Sequence, residues 1–171
     1  MNDFDANPHS EKLERSTIGL LMGSPVEYHT VADRLTPGHF WMERYRTMFR
    51  HIVELIEQHD DTDQPMQPIG PVDLQVKLEN AGELEKAGGP EVVDRMAGAP
   101  VGAYSLPRAV DRLDELYNRR RLLSSMEAWR ERVHKGEPPD AIYDEMEAEI
   151  ESGSIRQQAP VVETADALEQ W

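Results

Sequence analysis

The sequence predicts an all-α protein, and three observations support this fold class. Apolar residues recur every three or four positions from Phe40 to Ile56 and from Val110 to Val133, the period of a helix with one buried face. Residues typical of helix starts and ends separate the periodic segments. The 171 residues include no cysteine, so packing rather than a disulfide framework must hold the fold together. We expect a compact multi-helix globular head followed by a protruding antiparallel helical hairpin.

The head is expected to cover residues 8–100 and to begin with a helix capped by Ser10. Glu14 falls in the first turn of this helix, where a carboxylate interacts favourably with the helix dipole. A second short helix is predicted over Val26–Leu35. The third helix carries the densest group of aromatic residues in the chain, and we expect it to form the centre of the core.

Two further helices are predicted in the head. One runs from Pro71 to Ala81 and ends at Gly82, because glycine readily adopts the left-handed conformation found just after a helix. The other begins at Pro90, since proline is favoured in the first helical turn. The loop before Pro71 is rich in aspartate but lacks the ligand spacing of a calcium loop, so no metal site is predicted there.

Residues 101–151 are predicted to form the hairpin. A long helix begins near Arg108 and ends at Gly136-Glu137-Pro138-Pro139, and a return helix follows as far as Glu151. One small chain can hardly cover an arm of this length, so we expect the arm to contact a partner. The residues predicted to form either the seam of the hairpin or its partner and oligomer interface are Leu113, Leu116, Leu123, Met126, Trp129, Ile142, Met146 and Ile150.

Residues 152–171 are predicted to be a linker and the start of a linker helix. Val161, Ala165, Leu168 and Trp171 have the spacing of one helical face. An isolated helix of this length is only marginally stable in water, so it is interpreted as a docking helix that needs an outside surface. That surface belongs to the body of this chain, to a neighbouring subunit or to another domain.

The net charge of −15 argues against a general nucleic-acid-binding protein, because phosphate backbones repel such a chain. The charge is uneven, since residues 108–135 carry eight Lys or Arg and only five Asp or Glu. Arg119, Arg120 and Arg121 lie in the middle of this segment. They form either a solvated helix surface with intrahelical ion pairs or a patch for an acidic partner.

The sequence offers no catalytic constellation. It has no G-x-x-x-x-G-K-[ST] phosphate loop, no G-x-S-x-G nucleophile motif and no thiol. Glu131 and His134 form a single Glu-x-x-His pair, whereas a di-iron bundle needs two. We therefore expect a protein that is not an enzyme and that binds no cofactor or metal. Without a membrane-spanning segment or a signal peptide, we expect it to be cytoplasmic.

Four groups of residues, taken in order, form a recognisable pattern. They are Pro8-His9-Ser10 with Glu14, Ser16, Ile18-Gly19 and Leu21; Phe40-Trp41 with Arg46, Phe49 and Leu55; Gly82-x-Leu84 with Gly88-Gly89 and Pro100; and Leu113, Glu115, Arg120 and Leu122-Leu123. In this order, and at nearly this spacing, the chain resembles the N-terminal domain of bacterial DnaB-type replicative DNA helicases. The ATP-hydrolysing motor domain of that family is absent from the 171 residues.

The resemblance implies a non-catalytic oligomerisation and partner-docking domain. In the family, hairpins pair between subunits, and heads and hairpins form a three-fold collar over the hexameric motor. This collar also recruits primase. The linker helix that follows packs against a neighbouring motor domain. The expected partners are therefore other copies of this chain, in a dimer, trimer or hexamer collar, together with primase and the helicase motor domain or a helicase loader.

Two other interpretations stay open at this point. The chain could be a stand-alone regulator of phage or plasmid type that mimics the collar domain and binds the host helicase or primase. A motor domain encoded after Trp171 would exclude that interpretation. Direct nucleic-acid binding through the arginines of the long helix is the other interpretation, and the net charge disfavours it.

Overall fold

The computed structural model describes residues 7–60, 65–97 and 105–151, and all regular structure within these ranges is helical. Two short 3₁₀ helices span Pro25–Thr30 and Pro37–His39. The α-helices within the described ranges are α1 (Glu11–Gly23), α2 (Glu43–Asp60), α3 (Pro71–Asn80), α4 (Pro90–Ala97), α5 (Leu106–His134) and α6 (Pro139–Glu151). The predicted all-α fold class is confirmed.

The chain divides into two compact units. One unit is Met1–Tyr117, which we call the head, and the other is Asn118–Trp171, whose described helices we call the hairpin. Within the head, α1 and α3 pack against α2, and α4 packs against α1 and α3. The side chains of α2 that enter the core are Tyr45, Met48, Phe49, Ile52 and Ile56. The prediction that the aromatic helix forms the centre of the core is confirmed.

Glu14 connects α1 to the start of α2. The backbone carbonyl of Met42 accepts the first helical hydrogen bonds of α2, which makes Met42 the cap residue, yet its side chain has no oxygen. The fully buried Glu14 carboxylate accepts hydrogen bonds from the backbone N–H groups of Trp41, at 3.1 Å, and Met42, at 3.0 Å. A side chain of one helix therefore satisfies the backbone groups at the start of another.

The predicted caps at three helix ends are confirmed. The hydroxyl of Ser10 accepts a hydrogen bond from the backbone N–H of Leu13 at 3.3 Å. Gly82 follows α3 with a φ of 69°, and Gly136 follows α5 with a φ of 78°. At each glycine, the N–H group of the next residue binds the carbonyl five positions earlier, which closes the helix end in the Schellman geometry.

The predicted helix over Val26–Leu35 is wrong, because the structure has only the short 3₁₀ helix Pro25–Thr30 there. The Thr30 hydroxyl donates a hydrogen bond to the carbonyl of Glu27 at 2.7 Å. The N–H group of Val31 binds the carbonyl of Tyr28, three rather than four residues earlier. The bonding here is therefore of the 3₁₀ type, which rarely continues beyond a few residues.

The first part of α5 lies in the core of the head. Val110 and Leu113 are fully buried there, and Leu116 retains only 9% of its surface. The unit boundary falls after Tyr117 rather than at the predicted position after residue 100. Leu113 and Leu116, which were predicted to lie in the hairpin seam or interface, pack against the other helices of the head instead.

Polar contacts also hold this part of α5 in the head. Only 2.6 Å separates Nε2 of the buried His39 from Oδ1 of Asp114. Arg34 donates hydrogen bonds of 2.7 Å to both Asp111 and Asp114. The ring of Tyr117 lies against that of His39, with 4.6 Å between the centroids. These contacts join the turn before α2 to the beginning of α5.

A second polar cluster joins α2 to the turn after α3. The Glu83 carboxylate lies 2.9 Å from Nε2 of His51, 3.0 Å from Nζ of Lys86 and 3.3 Å from the guanidinium of Arg50. The hydrogen bonds to His51 and Lys86, together with the charge of Arg50, lower the pKa of Glu83 to about 2. Glu83 is therefore ionised throughout the physiological pH range.

Candidate protein interface on the hairpin

The hairpin is held together by a mixed seam between α5 and α6. Trp129 and Ile142 are buried, with 9% and 3% of their surface exposed. Arg132 forms an ion pair with Glu137 in the connection, at 2.8 Å, and another with Glu145 on α6. The hydrogen bonds from Arg132 to these two carboxylates raise its pKa. The seam is thus apolar at its centre and bridged by charges near the turn.

An apolar groove of about 520 Å³ runs along the hairpin. Its walls are partly open to solvent, since Met126 is 54% exposed, Val133 60% and Tyr143 65%. An apolar groove that is open to solvent is a candidate site for a protein partner. The residues that line the groove are Leu122, Met126, Trp129, Arg130 and Val133 from α5, and Pro139, Ile142, Tyr143, Met146 and Ile150 from α6.

The structure brings together most of the hairpin residues selected from the sequence. The ones that line the groove are Met126, Trp129, Ile142, Met146 and Ile150. Leu123 is 40% exposed but does not line it. Sequence reasoning missed Leu122 and Val133, although they stand four residues before Met126 and four after Trp129. Helical spacing could therefore have placed Leu122 and Val133 on the same helix face as the selected residues. No feature of the sequence pattern pointed to Tyr143 as a residue that lines the groove.

The three consecutive arginines do not share one exposed face. Arg119 is exposed and Arg121 is half-buried, whereas Arg120 retains only 9% of its surface. Successive residues of a helix point about 100° apart, so three neighbours cannot all face one partner. A patch made of all three for an acidic partner is not formed.

Two other kinds of site are absent from the described residues. No group of three or more His, Asp or Glu within them could hold a metal ion. No helix among them is long and apolar enough to cross a membrane. The predicted docking helix, with Val161, Ala165, Leu168 and Trp171, lies outside the described residues.

The described residues thus combine an all-helical head with an open apolar groove on the hairpin. Comparison with known protein families matches residues 6–115 to the DnaB-like helicase N terminal domain. The match covers more than half of the chain, so the chain belongs to this family. Domains of the family are non-catalytic, oligomerise and bind partner proteins. The matched region ends before the hairpin, so the groove lies outside it.

A solved structure shows the same fold. The N-terminal domain of DnaB helicase from Mycobacterium tuberculosis superposes with a TM-score of 0.71 at 21% sequence identity, and the alignment covers 85% of this chain and 99% of that one. No curated protein sequence matches the chain. The resemblance identified from the four groups of residues is confirmed by the family match.

Proposed function

We propose that this chain is the collar domain of a replicative DNA helicase, which supports hexamer assembly and recruits primase. The observation that carries the proposal is the apolar groove, whose walls stay open in the single chain. Burial of this surface against a second copy removes apolar area from water, the main favourable contribution to protein association. Membership of the DnaB-like family supports the same function.

The apolar burial that the open surface offers is comparable in free energy to the cost of association. Five lining side chains keep between 40% and 65% of their surface. Full burial of such a side chain contributes about 1.5–3 kcal/mol, so roughly 1 kcal/mol remains available at each. Two copies together gain about 10 kcal/mol, which falls within the roughly 4–15 kcal/mol that association costs. Self-association should therefore be concentration-dependent.

Absolute mass by light scattering, measured over a concentration series at moderate and high salt, tests self-association. We expect the mass to rise from that of a monomer towards a dimer, trimer or hexamer. We also expect the rise to persist at high salt, because apolar contacts are not screened. A monomeric mass at every concentration and both salt levels would contradict the proposal.

Primase recruitment needs its own test. The full chain would be titrated with its cognate primase in a calorimeter, and saturable binding is expected. Light scattering of the mixture would give the stoichiometry. The absence of binding heat and of a complex would remove primase recruitment from the proposed function and leave self-association standing.

A further inference from the structure

The apolar groove of the hairpin extends to the end of α6. Ile150, which lines the groove and is 45% exposed, lies one residue before the last residue of this helix. Pro139, which lines the other end of the groove, is the first residue of the helix. At 1.5 Å per residue, the groove is therefore roughly 16 Å long. The chain that leaves α6 starts at one end of an open apolar groove of its own hairpin.

The chain after α6 contains a segment whose length and polarity match the groove. As a helix, residues 161–171 would span about 15 Å. The apolar residues that share one face of such a helix are Val161, Ala165, Leu168 and Trp171. The carboxylates, which fall on the opposite face, are Glu163, Asp166 and Glu169. A helix with these two faces needs an apolar surface on one side and water on the other.

The connection between α6 and this segment suits a reversal of the chain. It consists of the nine residues 152–160, and connections between neighbouring helices of a bundle commonly have two to about eight residues. Gly153 favours a turn, and Pro160 stands directly before the segment, where proline suits the start of a helix. Helices joined by a short connection pack antiparallel. The segment therefore reaches the groove without an extended linker.

We propose that residues 161–171 fold back as a third helix into the groove of their own chain, antiparallel to α6, and thereby limit self-association. The covering of the groove does not depend on the proposed function, whereas its effect on self-association rests on that function. In this arrangement Val161 lies beside Ile150. Ala165, four residues further along the segment, then lies at the level of Met146, four residues back along α6.

The covalent connection favours the chain's own segment over a free partner. A short flexible linker holds a tethered segment at an effective concentration on the order of millimolar. A second copy of the chain reaches this concentration only in a very concentrated solution. Burial of the same apolar walls drives both contacts, so the tethered segment occupies the groove when the chain is dilute. The groove in turn supplies the outside surface that an isolated helix of this length requires.

The charges of the hairpin fix which face of the segment meets the groove. The described lining contains no carboxylate, and its one charged side chain, Arg130, is 68% exposed. Six of the thirteen residues of α6 are Asp or Glu, and none is Lys or Arg. Carboxylates of the segment that faced α6 would therefore be repelled. With the apolar face in the groove, these carboxylates point to solvent.

The absence of cysteine makes disulfide trapping a direct test of the covered groove. A full-length double variant, Met146→Cys with Ala165→Cys, would be oxidised gently in dilute solution, and closure of the disulfide within one chain would be followed by mass spectrometry. The control is Ala128→Cys with Ala165→Cys, because Ala128 is exposed and does not line the groove. We expect the first pair to close at least about fivefold faster, since disulfides form only between closely approaching Cβ atoms.

Two substitutions in the full chain test the effect on self-association. Leu168→Glu places a carboxylate on the apolar face of the segment and should release it from the groove. Gln170→Glu is the matched control, because it adds the same charge on the polar face. If about three-quarters of the grooves are covered, release strengthens pairing roughly sixteenfold, since only about a quarter of each partner was competent before. Sedimentation equilibrium should show this increase for Leu168→Glu and little change for Gln170→Glu.

The outcomes separate this inference from the proposed function. Equal closure rates for the two disulfide pairs, or a disulfide that joins two chains, would overturn the covered groove and leave self-association standing. Faster closure of the Met146 pair, together with a monomeric mass for Leu168→Glu at every concentration, would support the covered groove but overturn the proposed function. Unchanged or weaker association of Leu168→Glu, relative to the unmodified chain, would overturn the limit on self-association.

Discussion

Met126 offers the sharpest test of the groove as an interface. About half of its surface, 54%, is still exposed in the single chain. Met126→Glu forfeits roughly 1 kcal/mol of burial and places a carboxylate in an apolar contact, which costs about 1–3 kcal/mol more. A two-fold dimer contains the change twice, so the loss is about 4–8 kcal/mol. Self-association should therefore weaken by roughly a thousandfold or more.

The substitution should leave the monomer intact. Met126 lies within a helix, and glutamate has nearly the same intrinsic helix propensity as methionine. Ala128→Glu is the matched control, because Ala128 is an exposed residue of the same helix that does not line the groove. The Ala128→Glu variant carries the same added negative charge as Met126→Glu, two residues further along the helix. The monomer's helical content and melting temperature should be similar for all three proteins.

Sedimentation equilibrium of the unmodified chain and the two variants, over the same concentrations, gives the three association constants. The expected result is a large loss for Met126→Glu and a small change for Ala128→Glu. Equal association of all three proteins would refute the assignment of the groove as the contact. Equal loss in both variants would show that net charge, rather than burial of the groove, controls association.

Four further substitutions test the stability of the head. Glu14→Gln should lower the free energy of unfolding by about 1–3 kcal/mol in urea titrations, because the amide has only one oxygen: one backbone N–H group loses its acceptor and the other keeps a neutral one. Glu83→Gln should destabilise the head near neutral pH. In urea titrations at several pH values, this difference should disappear as the pH falls from 4.5 towards about 2, because the lowered pKa stabilises the fold only while Glu83 is ionised. Gly82→Ala, at a φ of 69°, should cost about 1–2 kcal/mol in urea titrations. Gly23→Ala, whose added methyl meets nothing within 4 Å, should be neutral or slightly stabilising.

Helix ends could be predicted well where they depend on neighbours in the chain. Ser10 caps α1 with its own hydroxyl, and Gly82 and Gly136 adopt positive φ values that other residues avoid. These are local effects of residue type. The cap of α2 is different, because the Glu14 carboxylate comes from 28 residues before Met42. The residues around Met42 contain no pattern that predicts a hydrogen bond to a residue so far away in the sequence.

The short 3₁₀ helix after α1 shows the limit of reasoning from periodicity. Apolar residues between Val26 and Leu35 have spacing compatible with an α-helix, yet the regular element there is only the 3₁₀ helix Pro25–Thr30. Val31 and Leu35 are buried all the same. The burial of these residues therefore accounts for the apolar pattern. The pattern could not predict whether the backbone forms an α-helix or a 3₁₀ helix.

By itself the sequence determined that this protein is all-helical, that α5 and α6 each have an apolar face, and that the chain resembles the DnaB-type collar domain. Only the tertiary structure decided what covers each part of the α5 face. Leu113 is buried in the head, Trp129 is buried in the hairpin, and Met126 stays open in the groove. All three residues are apolar and share the same helical periodicity. Their exposure depends on side chains that are distant in sequence and close in space, so periodicity alone cannot separate core, seam and interface.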